Sequence, residues 1–350
     1  MKRCFSLFCA VFPLVFAGCF KAQPKTQAEI QAQALAQEAE FGRSWIALGT
    51  LCTVRLYDTP KTWLYDVIYL RLKEIEELMS PRVDGSDISR INASAGIAPV
   101  TVDEEVFDLV ERAVHFAEIS EGAFDPTIGP LVSLWAIGTN PHVPSQQEID
   151  AVLPLVNWRD IELDREQRAV FLKRKGMALD LGGIAKGYAV EEAGNFVKAA
   201  QLKRALINFG GDVFIHGAGQ DGGGWKIGVR QPFHGREDSA GIVNVGEGAI
   251  VSSGVYERYF ESGESRYHHL FSPFNGYPAD NGLVSVTIIA KSATDADALS
   301  TAVFVLGYEK GRALIDSLDG AEALFIFHDR SIRKTDGIHF ELLDKDYTIK

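Results

Sequence analysis

Apolar positions along this 350-residue chain change period several times, and each change marks an element. From 44 to 57, "SWIALGTLCTVRLY" alternates apolar and polar residues, as expected of a strand pair with one covered face. Between 61 and 79, Leu64, Val67, Ile68, Leu72, Ile75 and Leu78 are spaced to share one face of a long helix, which Pro81 stops. A second helix is predicted over 103–120. A third is predicted from Ser145, where Glu148 three residues on completes a capping-box pattern. Short strands are expected near 160–163, 168–172 and 177–181, then the helix that opens inside "LDLGGIAKGYAVEEAGNF" (179–196). A run of strands over 204–290, helices at 295–306 and 308–318, and a terminal strand group complete the chain. Strands gather in clusters between helices instead of alternating with them, which predicts an α+β body over a doubly wound sheet. No internal repeat interrupts this order.

The N-terminus follows another pattern. Lys2 and Arg3 precede "CFSLFCAVFPLVFAGC", an apolar run too short for an ordinary membrane span. Its end, Phe16-Ala17-Gly18-Cys19, resembles a bacterial lipobox, in which cleavage leaves a lipidated cysteine first; a plain secretory signal is the other reading. Residues 1–18 are therefore expected to be a signal peptide, 19–43 a Gln/Ala/Glu-rich tether, and 44–350 the folded body. Cys4 and Cys9 would leave with the signal and Cys19 would carry lipid. Cys52 is then the one remaining thiol, expected to be buried and structural. A composition that is 46% hydrophobic allows a large core, in one domain or two lobes. The formal charge of −12 argues against nucleic acid as partner.

Four stretches are too polar and glycine-rich for their surroundings. In "LDLGGIAKGYAV" two glycines and Lys186 sit where a strand gives way to a helix, without the spacing of a Walker loop. An ordinary corner and a phosphate site both satisfy that pattern. "ALINFGGDVFIHG" (205–217) places Asn208, Gly210, Gly211 and Asp212 between two strand-like runs, as a glycine turn or a close approach to a ligand. In "SVTIIAKSATDADALSTAVFVLG" (285–307), Asp297 and Thr301 are four apart on one helix face, a hard-oxygen pair suited to Mg²⁺. Capping explains much of the same segment, with Thr294 as N-cap and Asp295 in the first turn. The fourth, 252–280, holds His268 and His269 on a predicted strand, so only one of them can face a given cleft.

Taken together these stretches resemble the ApbE family of FAD:protein FMN transferases. The likeness runs in order through "LGT" (48–50), "SDISRIN" (86–92), "GAFDPTIGPL" (122–131), "LDLGGIAKGYAV" (179–190), "LINFGGD" (206–212), "SSGVYER" (252–258), "RYHHLFSPFNGYP" (266–278) and "DALSTAVFVLG" (297–307). The resemblance implies a two-lobed α+β catalytic body with a FAD cleft between the lobes. Leu48, Gly49, Thr50, Asn92, Phe124, Asp125, Gly183, Asn208, Gly210, Gly211, Asp212, Ser253 and Gly254 would border the cofactor. Lys186 would face the pyrophosphate, and the Ala185 carbonyl, Asp297 and Thr301 would hold Mg²⁺. His269 would be the base.

The implied reaction moves FMN from FAD to a threonine of an exported client protein and releases AMP. The protein would sit on the periplasmic side of the bacterial inner membrane, held by its lipid alone. Two alternatives share the pocket: a Mg²⁺-dependent FAD pyrophosphatase giving FMN and AMP, and a non-catalytic flavin-binding lipoprotein. Two positions depart from the family pattern, Val255 and Ser272, each standing where an aspartate is usual. Their expected consequence is altered acceptor handling or metal stoichiometry.

Overall fold

The computed structural model describes residues 42–57, 61–219, 222–233 and 238–350. The signal peptide, Cys19 and nearly all of the tether lie outside the described residues. Eight α-helices are described: α1 (Thr62–Met79), α2 (Asp87–Ala93), α3 (Glu104–Ile119), α4 (Gly129–Trp135), α5 (Gln146–Val152), α6 (Ala185–Ala199), α7 (Ala293–Leu306) and α8 (Tyr308–Asp316). Around them runs a nine-stranded sheet in the order Gly42–Ala47, Thr50–Leu56, Ala205–Phe209, Asp212–His216, Gly248–Gly254, Leu283–Ala290, Glu322–Phe327, Ser331–Lys334, Thr348–Ile349. Every neighbouring pair is antiparallel except the last, which is parallel. The expected α+β class is what the chain adopts, and Phe41–Lys350 forms one body.

The middle strands read as nearly continuous apolar runs because both of their faces are covered. In Gly248–Gly254, Ala249 and Val251 join the larger core while Ile250 joins a second one. Val286 and Ile288 likewise point to the larger core and Ile289 to the second, as the period of two requires, while an irregularity in pairing between Leu283 and Ser285 turns Val284 to the second core as well. On the larger-core side lie α6, against Ala205–Phe209 and Asp212–His216, and α7, against Gly248–Gly254 and Leu283–Ala290. Residues of a three-stranded sheet, Trp225–Arg230, Ser239–Val245 and Phe340–Leu342, pack into the second core.

Helix boundaries follow local chemistry. Ser145 and Glu148 form the expected capping box at α5, and α1 ends at Met79, with extended Ser80 as its C-cap directly before Pro81. The start of α7 differs from expectation. Ser292, in extended conformation, is the N-cap and accepts from the Asp295 N–H, while Thr294 already lies in the first turn. The strand expected at 177–181 is also absent: Ala178 makes one parallel bridge to Ile128, and the Leu179 backbone pairs with the Asn92 side chain. The short helices α2 and α4 fall where no apolar period is long enough to announce them.

Candidate functional site

Helices α6 and α7 meet at their first turns. A Cβ added at Gly187 would lie 2.2 Å from the Ala293 carbonyl oxygen and 2.6 Å from Asp297 Cβ, so only glycine permits this approach. The Gly187 N–H donates to Asp297 Oδ2 at 2.8 Å. One residue earlier, Lys186 Nζ reaches Asp212 Oδ2 at 2.7 Å and lies 3.7 Å from Asp297 Oδ1. Burial disfavours the charge on Lys186, but the two carboxylates outweigh it and hold its pKa above the ordinary value. Burial and the neighbouring Asp297 push the Asp212 carboxyl up to about 7, against the opposing pull of Lys186.

Of these groups Lys186 and Asp297 line a 330 Å³ cavity. Of the residues expected there, Leu48, Gly49, Thr50, Phe124, Asp125, Gly183, Lys186, Gly210, Ser253, Gly254, His269, Asp297 and Thr301 line it. Leu48 and Gly49 make a two-residue hairpin turn with φ of 53° and 68°, a strained conformation for the leucine at the cavity lip. Gly210, at φ 65°, brings its turn so close to Thr50 that a Cβ would stand 2.3 Å from the threonine Oγ1. Ser253 Oγ pairs with Ser300 Oγ at 2.8 Å, tying the cavity wall to α7. A Cβ at Gly183 would come 3.2 Å from Thr301 Oγ1, which places that hydroxyl beside the loop before α6.

Asn92, Asn208, Gly211, Asp212 and Ala185 are not part of the cavity wall. The Asn92 amide is spent on both backbone groups of Leu179, so it holds the approach to α6 in place. Asn208 Oδ1 accepts from the Gly211 N–H and fixes the Gly210-Gly211 turn. Asp212 stands behind Lys186, and Ala185 heads α6. Asp125 lines the cavity, yet its Oδ1 accepts from Thr127 N and Oγ1 and its Oδ2 from Trp158 N, which anchors the 125–128 loop.

The two histidines divide as strand geometry requires. His268 Nε2 pairs with the Ala279 carbonyl at 3.2 Å and Nδ1 accepts from the Leu270 N–H, so both nitrogens are used. Burial depresses its pKa to about 4. His269 lines the cavity, and its Nδ1 faces the Arg258 carbonyl at 3.2 Å. A carbonyl only accepts, so Nδ1 carries the proton and Nε2 keeps its lone pair. Burial, followed by the charges of Arg258 and His268, depresses this pKa well below 6.5. The ring is neutral at pH 7, as a base must be.

Arg82, Glu257 and Arg258 also line the cavity, and no periodicity or spacing singles them out. Neither family departure lines it. Val255 packs against both cores, and buried Ser272 accepts from the Phe274 N–H within a tight turn. Cys52 is fully buried, with its thiol on the Ala47 carbonyl and its pKa pushed up to about 12 by burial. Among the described residues no three His, Cys, Asp or Glu side chains converge as a metal cluster, so a cation here would rest on a mixed oxygen set.

Comparison with known proteins points the same way. A family model described as the ApbE family matches residues 48–325. A FAD:protein FMN transferase of Treponema pallidum is 38% identical over 321 residues, covering 87% of this chain and 89% of the relative. One from Klebsiella pneumoniae is 36% identical over 312 residues, covering 88% and 96%. Among solved structures, the ApbE protein from Thermotoga maritima superposes with a TM-score of 0.78 at 35% identity, over 85% of this chain and 97% of that one. The flavin transferase ApbE from Vibrio cholerae gives 0.74 at 26% identity, over 87% and 97%.

Proposed function

The chain belongs to the ApbE family, and from that premise we propose that it transfers FMN from FAD to a threonine hydroxyl of exported client proteins, with Mg²⁺ bound at the α6–α7 junction. The observation that carries this reading is the convergence of Lys186, Asp297, Thr301 and a neutral His269 on one cavity. The threonine oxygen forms a bond to the FMN-side phosphorus as the bridging P–O bond to AMP breaks. His269 Nε2 takes the hydroxyl proton, and Lys186 neutralises charge on the pyrophosphate oxygens. AMP leaves; FMN remains joined to the client through phosphate.

The donor set suits a hard divalent cation: a backbone carbonyl at Ala185, a carboxylate at Asp297 and a hydroxyl at Thr301, all oxygen. Ser300 takes the Asp297 carbonyl at 2.9 Å, and Thr301 Oγ1 stands in the cavity wall beside Gly183. When bound, Mg²⁺ supplies further positive charge to the pyrophosphate. Lys2, Arg3 and the apolar run ending at Cys19 support export and a lipid anchor, and with them the reading that the enzyme works on the periplasmic face of the inner membrane. Among the described residues no helix is long and apolar enough to cross a membrane.

The test incubates residues 20–350 with FAD and Mg²⁺, with and without a threonine-bearing acceptor protein, following AMP and flavin by mass. Acceptor-dependent AMP with the acceptor gaining the mass of FMN is expected. AMP with free FMN and no acceptor would make the protein a pyrophosphatase. Intact FAD in both arms would leave a binding protein.

A further inference from the structure

The α6–α7 junction has a second fastening, one turn from Gly187, that the reaction chemistry does not use. Glu191 lies four residues after Gly187, on the same side of α6. Its Oε2 accepts three hydrogen bonds from the start of α7: from Ser292 Oγ at 2.6 Å, Thr294 N at 3.0 Å and Thr294 Oγ1 at 2.8 Å. The same Ser292 hydroxyl is the N-cap of α7. From α3, Arg112 closes the cluster, with Nη2 on Ser292 Oγ at 2.9 Å and Nε on Asp295 Oδ1 at 2.8 Å. A carboxylate thus sits against the positive end of the helix that carries Asp297 and Thr301. It belongs to the helix that carries Ala185 and Lys186.

We propose that Glu191 is a positioning residue for the reaction: it sets how the first turn of α6 lies against the first turn of α7, and so the spacing between Ala185 and Lys186 on one side and Asp297 and Thr301 on the other. This rests on the flavin-transfer reading above. Gly187 makes the helix approach close but offers a single backbone hydrogen bond to hold it. Two contacts one turn apart, Gly187 to Asp297 and Glu191 to Ser292 and Thr294, remove the freedom of one helix to slide or pivot on the other. A pyrophosphate gripped from both helices feels any such slip directly. Burial works against the charge on Glu191, but the hydroxyl and amide donors outweigh it and keep its carboxyl below the usual range, so it is an anion at working pH.

The neighbouring Glu192 supplies the control. It faces α1, where it accepts from Arg71 Nη2 at 3.1 Å, and touches nothing in the cavity. Glu191→Ala, Glu191→Gln and Glu192→Ala are compared with wild type in FAD-dependent AMP release, with unfolding temperature and metal-free FAD binding by flavin fluorescence measured on each. For Glu191→Ala the expected result is a kcat lower by about tenfold to a hundredfold per folded molecule, since sub-ångström misplacement acts on rate. A raised Mg²⁺ requirement goes with it, while metal-free FAD affinity changes by less than about threefold, because most of the cavity wall is untouched. Glu191→Gln, which keeps an acceptor oxygen, recovers most of that kcat. Glu192→Ala loses unfolding temperature and keeps kcat.

If Glu191→Ala loses unfolding temperature alone, with kcat and Mg²⁺ requirement as in wild type, Glu191 is merely a helix clamp and the inference falls. The inference falls equally if Glu192→Ala lowers kcat as much, since helix destabilisation would then explain both. Wild-type protein that cleaves no FAD overturns the functional reading, and this inference with it.

Discussion

Helix α6 carries two clusters of charge, and they resolve the same arithmetic in different ways. Toward α1 and α3, Arg71 meets Glu105 and Glu192; toward α7 and the sheet, Lys186 meets Asp212 and Asp297. Each has one cation and two carboxylates that are largely buried, and Arg71 also has an exposed third, Glu74, at 3.5 Å. Around Arg71 the guanidinium fork divides its donors: Nη1 to Glu105 at 3.1 Å, Nε to Glu192 at 3.2 Å, and Nη2 to both glutamates and Tyr188. Tyr188 adds a hydroxyl donor to Glu105 at 2.7 Å. Burial opposes ionisation of Glu105, yet Arg71 and Tyr188 hold its carboxyl below the usual range. Around Lys186 the carboxylate side chains are 1% and 4% exposed, and a single ammonium serves both. There Asp212 is forced upward. The difference is one of donors and water. The first cluster is complete in itself, whereas the second is short of positive charge, and it opens on the cavity.

Removing Asp297 breaks that contrast most severely. Asp297→Ala leaves one carboxylate for one lysine, balancing the cluster and taking away a proposed cation ligand. The rate of AMP release from FAD should fall by about 10²–10³, or roughly 3–4 kcal/mol of transition-state stabilisation. The unfolding temperature should change little. FAD cleavage at the wild-type rate would dismiss the metal assignment. Arg71→Ala does the reverse on the other face. It strands two partly buried glutamates and should cost about 2–3 kcal/mol in urea unfolding, with kcat per folded molecule unchanged. A tenfold loss of kcat in Arg71→Ala would mean that the two faces of α6 are not independent.

How much of this was legible beforehand varied with the range of the interactions. Strand and helix periods between 44 and 79 read correctly because each is set by residues within one turn or one strand of each other. The strand expected at 177–181 failed because its backbone is paired by Asn92, 87 residues earlier, which no local pattern encodes. Thr294 looked like a cap because threonine before an acidic turn usually is one; Glu191, about 100 residues away, claims its hydroxyl instead. Within the site, Lys186 and the Asp297–Thr301 pair had local signatures, a glycine corner and a four-residue spacing. The meeting of Lys186 and Asp297 around Asp212 did not. Ordered resemblance grouped those segments, but it could not say that Asn92 and Asn208 brace backbone outside the cavity wall, or that Val255 and Ser272 are not part of that wall.

The subtlest difference between the two clusters is in their response to pH, and Asp212→Asn isolates it. Asp212 has an ordinary value of 3.8 and is raised to about 7 in the folded protein. Between those values the native chain keeps a proton that the unfolded chain has released, so native stability falls as pH rises through that window. Replacing the carboxyl with an amide removes the effect. Relative to wild type, the metal-free variant should therefore gain about 1–2 kcal/mol as pH climbs from 5 to 7, measured by parallel urea melts. Glu105→Gln should show the opposite sign at lower pH, because a carboxyl held below its usual range stabilises the fold once ionised and loses that contribution as pH drops. Mg²⁺ sharpens the contrast further. A cation beside Asp297 favours the ionised form of Asp212, so it should flatten the wild-type slope and leave the Asp212→Asn slope alone. A wild-type slope indifferent to Mg²⁺ would separate the buried carboxyl pair from the proposed metal site.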